Sequence, residues 1–350
     1  MSYATLFRKN VGIIFAIGTS LTITSVAVFV KKTPSVNKTD LAAFRVTIQY
    51  LILLPIVLSK CKLYEVFPIH EPRTSKLLLT RSISATVGFT CSYYAYSTLP
   101  IGDCYTITCF RSIVCVILAW LFLGEKLTKK EIAVFLVGLV GMGFVVRPKA
   151  LLTWDEEFIQ QDFGINIETF VFGVFMAVTS TFCASVSTVV IRAVMTEQKE
   201  KSKKLKLAME GRINNAEKID QKDDNSAANI HWTVLIFHYS LLSILILYPY
   251  RIYQTGFSTE FITAFIMNPC QSEIIYCFIV ALGGLMASSL NIFALRNTSV
   301  FNVSIVTSTL TIVFGFMFDY FLFDKVPSTN SLIGSCLIFL SVAVLMLMKT

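Results

Sequence analysis

Residues 99–150 read LPIGDCYTITCFRSIVCVILAWLFLGEKLTKKEIAVFLVGLVGMGFVVRPKA, and they contain the clearest indication of the fold. It contains two apolar runs, at 101–123 and 132–146, which are separated by the charged turn GEKLTKKE. A helix needs about 20 apolar residues to cross the roughly 30 Å of hydrocarbon in a bilayer, and a turn with this much charge is excluded from lipid. The stretch therefore predicts a transmembrane helical hairpin.

The composition of the whole chain is that of a multi-pass membrane protein. Of its 350 residues, 55% are hydrophobic and only 15% are charged, and the mean hydropathy is +0.68. A soluble core could not bury so much apolar surface. The basic residues behind the net charge of +8 lie in loops between apolar runs, so we expect them to flank a membrane, and we expect no nucleic-acid partner.

Hydropathy and span length predict ten transmembrane helices, an all-α membrane fold. Counted on alternate sides of these spans, 20 of the 30 Lys and Arg residues fall on the side of the N-terminus and seven on the other. Because basic residues accumulate on the cytosolic side, we expect both termini in the cytosol, in the plasma membrane or an endomembrane. The predicted spans are 11–30, 41–58, 77–99, 101–123, 131–146, 169–191, 232–250, 272–295, 300–323 and 331–348.

A self-comparison indicates an internal repeat in which spans one to five match spans six to ten. Because each half has an odd number of spans, the second half enters the membrane from the opposite side, which gives an inverted-topology repeat. The identities at a shift of 199 are Ala95 on Ala294, Thr108 on Thr307 and Phe122-Leu123 on Phe321-Leu322; at a shift of 161 they are Gly12 on Gly173 and Ala16 on Ala177, while Lys31 falls on Arg192.

The repeat predicts four regions along the chain. Residues 1–150 form the first five-helix repeat, and 151–195 form an outer loop and the first span of the second repeat. Residues 196–229 are polar and poor in aromatics, so we expect a flexible cytosolic linker with a short helix near 203–209. Residues 230–350 supply the remaining four spans.

The order of signals in 99–150 resembles the end of an EamA repeat of the drug/metabolite transporter superfamily, in particular in the G-type members of solute carrier family 35. PIGD precedes a long apolar helix that ends in AWLFLGEKLT, and a glycine-studded helix then ends in RP. The resemblance implies a ten-helix transporter in which spans one to four and six to nine surround a central cavity. The chain departs from the family pattern at Arg111-Ser112, where related sequences usually have a small residue followed by proline.

Enzyme signatures are absent from the sequence. It contains no G-x-S-x-G, no H-E-x-x-H and no P-loop motif, and its nine cysteines are scattered without a CxxC pair. We therefore expect no catalytic residue, no metal site and no cofactor.

Ionisable and polar side chains within the spans are the candidate site residues, since an arginine at a helix centre costs about 2.5–3.5 kcal/mol. Arg111 lies near the middle of the fourth span, on a stripe of small and polar residues that predicts either a cavity wall or close helix packing. Arg81 either faces a cavity or snorkels to the interface, and Tyr94 either anchors at the interface or stacks on a solute. The cavity candidates are Arg45, Arg81, Tyr94, Asp103, Thr108, Arg111, His238, Asn291 and Asp319.

Two turns are candidates for gating or anchoring. Glu125-Lys126 and Asp324-Lys325 end the fourth span of each repeat, so we expect them at opposite membrane faces. The whole pattern predicts a secondary transporter of a small organic solute, and the arginines favour an anionic or carboxylate-bearing one. The alternative is a membrane scaffold or receptor that keeps the fold without transport. The expected partners are the solute and the lipid bilayer, and the oligomeric state stays open.

Overall fold

The structure is a computed structural model that describes residues 3–60, 72–124, 166–213, 232–255 and 271–323, with scattered single residues of 129–140 and 333–344. Its elements in these ranges are α-helices. They are α1 (Tyr3–Lys31), α2 (Lys38–Lys60), α3 (Pro72–Thr98), α4 (Ile101–Thr108), α5 (Arg111–Leu123), α6 (Ile167–Ile213), α7 (Trp232–Thr255), α8 (Gln271–Asn297) and α9 (Val300–Phe323).

The described helices are those of a multi-pass membrane protein. Six of them (α1, α2 and α6 to α9) are long and apolar enough to cross a bilayer. Large apolar side chains also cover outward surfaces, where Leu58 is 71% and Phe175 63% exposed, and such surfaces suit contact with lipid. The predicted fifth and tenth spans are described only at single residues, and the turns with Glu125, Lys126, Asp324 and Lys325 lie outside the described residues.

The predicted fourth span is not one continuous helix. It is divided into α4 and α5 by a turn at Cys109-Phe110, both of which have right-handed helical backbone angles. The turn tightens the hydrogen bonding, since Phe110 N donates to Ile107 O (3.4 Å) and Ser112 N to Cys109 O (3.0 Å). Such bonds between residues three apart mark a local 3₁₀ geometry immediately before Arg111.

Helix α6 is longer than the prediction for the sixth span. At 47 residues it is about 70 Å long, whereas a bilayer with its headgroups is about 40–45 Å thick. The structure thus continues the helix to Ile213, through the first half of the segment that we predicted to be a flexible linker. Glu, Lys, Leu, Met and Ala, which favour helices, dominate this extension, and it contains no proline.

The two predicted halves of the chain pack against each other in a reciprocal way. Helix α1 packs mainly against α8 and α9, and α3 packs mainly against α6 and α7. Helix α2 packs against α7 and α8, and α4 and α5 pack against α9 and α6. Each major contact therefore has a counterpart in which the first and second halves exchange roles.

Glycines allow two of these helix pairs to approach closely. A β-carbon built on Gly12 of α1 would lie 2.6 Å from Thr298 Oγ1, just beyond α8, and one on Gly173 of α6 would lie 2.5 Å from Thr98 Oγ1, at the end of α3. Both distances are too short for a side chain, so the two positions need glycine. The two contacts are counterparts under exchange of the halves.

Candidate functional site

A cavity of about 210 Å³ lies at the centre of the helices, and each of α1 to α9 contributes to its lining. Its wall combines aromatic rings, hydroxyl groups and the side chains of Arg45, Arg81 and Arg111. The helices that line it come from both halves of the chain. A concave site with few convergent polar groups is the usual form of a small-molecule site.

Arg45 is held by contacts on every nitrogen of its guanidinium. Its Nη1 donates to Tyr93 Oη (2.8 Å) and its Nη2 to Gly284 O (3.4 Å). The groups around Gln49 orient that amide so that its oxygen accepts from Arg45 Nε (3.2 Å). Arg45 Cζ also lies 5.0 Å from the centroid of the Phe89 ring, a cation–π contact. Arg45 is therefore a rigid part of the cavity wall.

Arg81 and Arg111 have fewer partners than Arg45. Arg81 Nη1 donates to Leu235 O, and Arg111 Nη2 donates to Thr188 Oγ1 (2.5 Å). The Nε atoms of both residues are buried and have no hydrogen-bond partner among the described residues. Because a buried N–H without a partner costs about 1–3 kcal/mol, these atoms are available to a ligand that supplies acceptors.

The described lining of the cavity is positively charged. It contains three guanidiniums, and among the described residues it contains no Asp or Glu side chain. Guanidinium donors in a fixed planar fork match the oxygens of carboxylates and phosphates. The cavity can therefore bind an anion.

The structure brings together five of the nine predicted cavity residues and places others elsewhere. Arg45, Arg81, Thr108, Arg111 and Asn291 line the cavity. The side chain of Asp103 lies outside the part of the chain that is described. The remaining three, His238, Asp319 and Tyr94, are not among its lining residues.

The structure shows where the three predicted residues outside the cavity lining lie. His238 precedes Tyr239, which does line the cavity, and one residue along a helix is a rotation of about 100°. Asp319 Oδ2 accepts a hydrogen bond from Gly102 N (2.7 Å), so this carboxylate caps the N-terminus of α4. The hydroxyl of Tyr94 donates to Asn37 Oδ1 (3.2 Å) at the start of α2.

Sequence reasoning missed the contribution of α6. Six of its residues line the cavity at helical spacing: Ser180, Thr181, Ala184, Ser187, Thr188 and Ile191. The same small and polar periodicity that identified the stripe around Arg111 in the fourth span is visible in this sequence and could have identified them. Gln49, which is fully buried and contacts Arg45, was missed too, although it is a polar residue inside the predicted second span.

A contact at the end of the first helix of one half has a counterpart in the other half. Lys31 Nζ donates to Leu99 O (3.3 Å), and Arg192 Nη1 donates to Leu295 O (2.7 Å). In each case a cation from the first helix of a half meets a carbonyl near the C-terminus of the third helix of that half, where a positive charge is favourable. Lys31 and Arg192 are the pair that the sequence shift of 161 aligns.

A further ion pair joins α2 to α7. Arg251 Nε donates to Asp40 Oδ1 (2.6 Å) and Arg251 Nη2 to Asp40 Oδ2 (2.9 Å), so the pair is bidentate. The side chains are only 15% and 7% exposed, respectively. This contact ties the start of α2 in one half to the end of α7 in the other.

Comparisons with known proteins show that the chain is similar to solute carriers. Residues 10–147 match the EamA-like transporter family. The chain is 24% identical to solute carrier family 35 member G1 of Mus musculus over 184 residues, which are 52% of this chain and 48% of that protein. With the Homo sapiens protein of the same name it shares 26% over 167 residues, which are 47% and 43% of the two chains.

Two further similarities extend the comparison. An uncharacterized membrane protein of Saccharomyces cerevisiae is 31% identical over 108 residues, 31% of this chain and 26% of that protein. A solved crystal structure of a protein shares the fold, with a TM-score of 0.59, 16% identity and 97% of both chains covered. The alignments span less than half of the length of each curated relative. Residues 10–147 thus resemble the EamA-like transporter family, and the chain resembles the G-type members of solute carrier family 35.

Proposed function

We propose that this protein is a secondary transporter that moves a small organic anion across a membrane. The observation that carries the proposal is the cavity lined by Arg45, Arg81 and Arg111, with no carboxylate in its described lining. Within a membrane, cationic side chains mark solute pathways because leaving them without a counterion is costly. An anionic solute would supply the missing charge.

The proposed mechanism is alternating access between two inverted five-helix repeats. The reciprocal packing of the halves and the counterpart contacts of Gly12 and Gly173 support this mechanism. With the predicted topology, the contacts of Lys31 and Arg192 lie at opposite membrane faces. Rocking of the helices would open one face of the cavity while the contact at the other face is kept.

Roles for individual residues follow from their places. We propose that Arg81 and Arg111 bind the anion directly, and that Thr108 and Asn291 contact the rest of the solute. Arg45, whose nitrogens are all occupied, shapes the wall and contributes its charge. The ten-span count, the four-region layout and the gating role of the Glu125-Lys126 and Asp324-Lys325 turns belong to the same proposal.

A ligand screen of the purified full chain tests this function. We expect that inorganic phosphate, succinate, malate or glycerol 3-phosphate raises the melting temperature, since a ligand that binds the native state stabilises it. Arg111→Gln should abolish this shift, and Arg296→Gln, a control at an exposed position outside the cavity, should retain it. If neither anions nor neutral or cationic metabolites shift the melting temperature, the protein is a scaffold or receptor that keeps the fold.

A further inference from the structure

Several hydroxyl groups of the cavity wall already donate their hydrogens to backbone carbonyls, so they can act only as acceptors toward a ligand. A Ser or Thr hydroxyl has one donor and two acceptor lone pairs. On α9, Thr307 Oγ1 donates to Val303 O (2.7 Å) and Thr311 Oγ1 donates to Thr307 O (2.8 Å). Because their hydrogens are used within the helix, both hydroxyls present only an acceptor oxygen to the cavity.

The same arrangement recurs on the other helices around the cavity. Thr181 donates to Ala177 O on α6 (2.7 Å), and Ser288 donates to Gly284 O on α8 (2.8 Å). Thr188 shows what such an oxygen does, since its hydroxyl donates to Ala184 O (2.8 Å) while its oxygen accepts from Arg111 Nη2. A cavity-facing N–H group is thus already bound by one of these hydroxyls.

Ser308 adds a third hydroxyl to this part of the cavity wall. Its side chain is only 6% exposed and lines the cavity between Thr307 and Thr311, and its Oγ has no partner among the described residues. A buried hydroxyl without a partner is unfavourable by about 1–3 kcal/mol. Thr307, Ser308 and Thr311 together form the α9 hydroxyl face, which offers oxygens to whatever occupies the cavity.

We infer that the solute is an anion that also carries hydroxyl or amide hydrogen-bond donors, and that these donors bind to the α9 hydroxyl face. This inference rests on the proposed function and adds the groups that would bind the hydrogen-bond donors of the solute. The guanidiniums bind the acceptor oxygens of the anionic group, and the α9 hydroxyl face binds its O–H or N–H groups. An anion without donors would leave these oxygens unsatisfied, so it should bind less tightly.

Matched pairs of anions test the inference on the purified full chain. Malate and succinate differ by one hydroxyl at the same charge, and glycerol 3-phosphate and propyl phosphate differ by two. We expect the hydroxylated member of each pair to bind about 3- to 10-fold more tightly for each hydroxyl that is bound, the usual net effect of a hydrogen bond. The triple variant Thr307→Val/Ser308→Ala/Thr311→Val, which removes every hydroxyl of the α9 hydroxyl face, should abolish this preference.

Thr309→Val is the matched control on the same helix. Thr309 donates to Ile305 O (2.6 Å) in the same way, but it is fully buried and outside the cavity lining. This variant should keep the preference for hydroxylated anions. Equal affinities within each pair, or a preference that survives the triple variant, would overturn the inference while the anion-binding function stands. Failure of all four anions to bind would overturn both.

Discussion

The guanidinium of Arg45 lies directly on the backbone of Gly284, on a helix from the other half of the chain. Arg45 Nη2 donates to Gly284 O (3.4 Å), and a β-carbon built on Gly284 would lie 2.6 Å from Arg45 Cζ. Any side chain at position 284 would therefore displace the guanidinium. The glycine is what allows an arginine to fill this part of the cavity wall.

Gly284→Ala should destabilise the protein because the new methyl group and Arg45 cannot occupy the same space. Overpacking of this kind costs about 1–3 kcal/mol. Gly18→Ala is the control, since its β-carbon would meet Leu290 Cδ1 at an ordinary 3.4 Å. The melting temperature of the purified protein should fall for Gly284→Ala and stay level or rise for Gly18→Ala. Equal effects of the two changes would show that Arg45 does not need the glycine.

The sequence predicted the long helices well because hydropathy and length determine them. The predicted ninth span, 300–323, coincides with α9, and the predicted third span, 77–99, ends within one residue of α3. The break at Cys109-Phe110 could not be predicted in this way. Neither residue is a glycine or proline, so the local sequence contains no helix-breaking signal at this turn.

The candidate site was predictable in its charges but not in its geometry. An arginine within an apolar run is visible in the sequence, and Arg111 was identified on that basis. An intramembrane carboxylate such as Asp319 gives the same signal, but its role as a cap depends on a helix 217 positions away in the chain. Gln49 and Gly284 hold Arg45, and this role becomes visible only when the helices are packed.

The carboxylate of Asp319 should act in stability and not in solute binding. The N-cap position of α4, Pro100, offers no side-chain acceptor, and Asp319 supplies one from α9. Asp319→Ala should therefore lower the free energy of unfolding by about 0.5–2 kcal/mol, the usual effect of a lost cap. Asp319→Asn keeps an oxygen acceptor and should lose less.

Anion affinity distinguishes the two roles of Asp319. Both variants should bind the anion identified by the screen with the affinity of the wild type. A loss of affinity in Asp319→Asn without a loss of stability would place this residue in the binding site.

The Asp40–Arg251 pair should couple α2 to α7 energetically. The pair is bidentate and largely buried, so removing one partner leaves a charge that is poorly compensated. A double-mutant cycle with Asp40→Asn and Arg251→Gln should give a coupling energy of about 1–3 kcal/mol in the free energy of unfolding. Additive effects of the two changes would mean that the pair contributes nothing beyond its separate residues.

The excess of basic residues predicts which side of the membrane holds the 196–229 segment. A cysteine introduced at Ser226 should react with a membrane-impermeant maleimide only after the plasma membrane has been opened. If the protein resides in the plasma membrane, a cysteine at the exposed Asn166, at the other end of α6, should react in intact cells. Labelling is measured as the increase over the wild-type chain. Ready reaction at position 226 from outside the cell would invert the proposed topology.

Uptake of the identified anion into proteoliposomes that contain Arg111 variants measures whether Arg111 binds the transported anion. Arg111→Lys keeps the charge but loses the planar fork, and hydrogen bonds to a charged group are worth about 1.5–3 kcal/mol. We therefore predict a KM raised by about 10- to 100-fold in Arg111→Lys, with the melting temperature in the absence of solute unchanged. Arg296→Lys should transport with the KM of the wild type. If Arg111→Leu takes up the anion with wild-type KM, the arginine is structural and the account of an arginine-lined anion site is wrong.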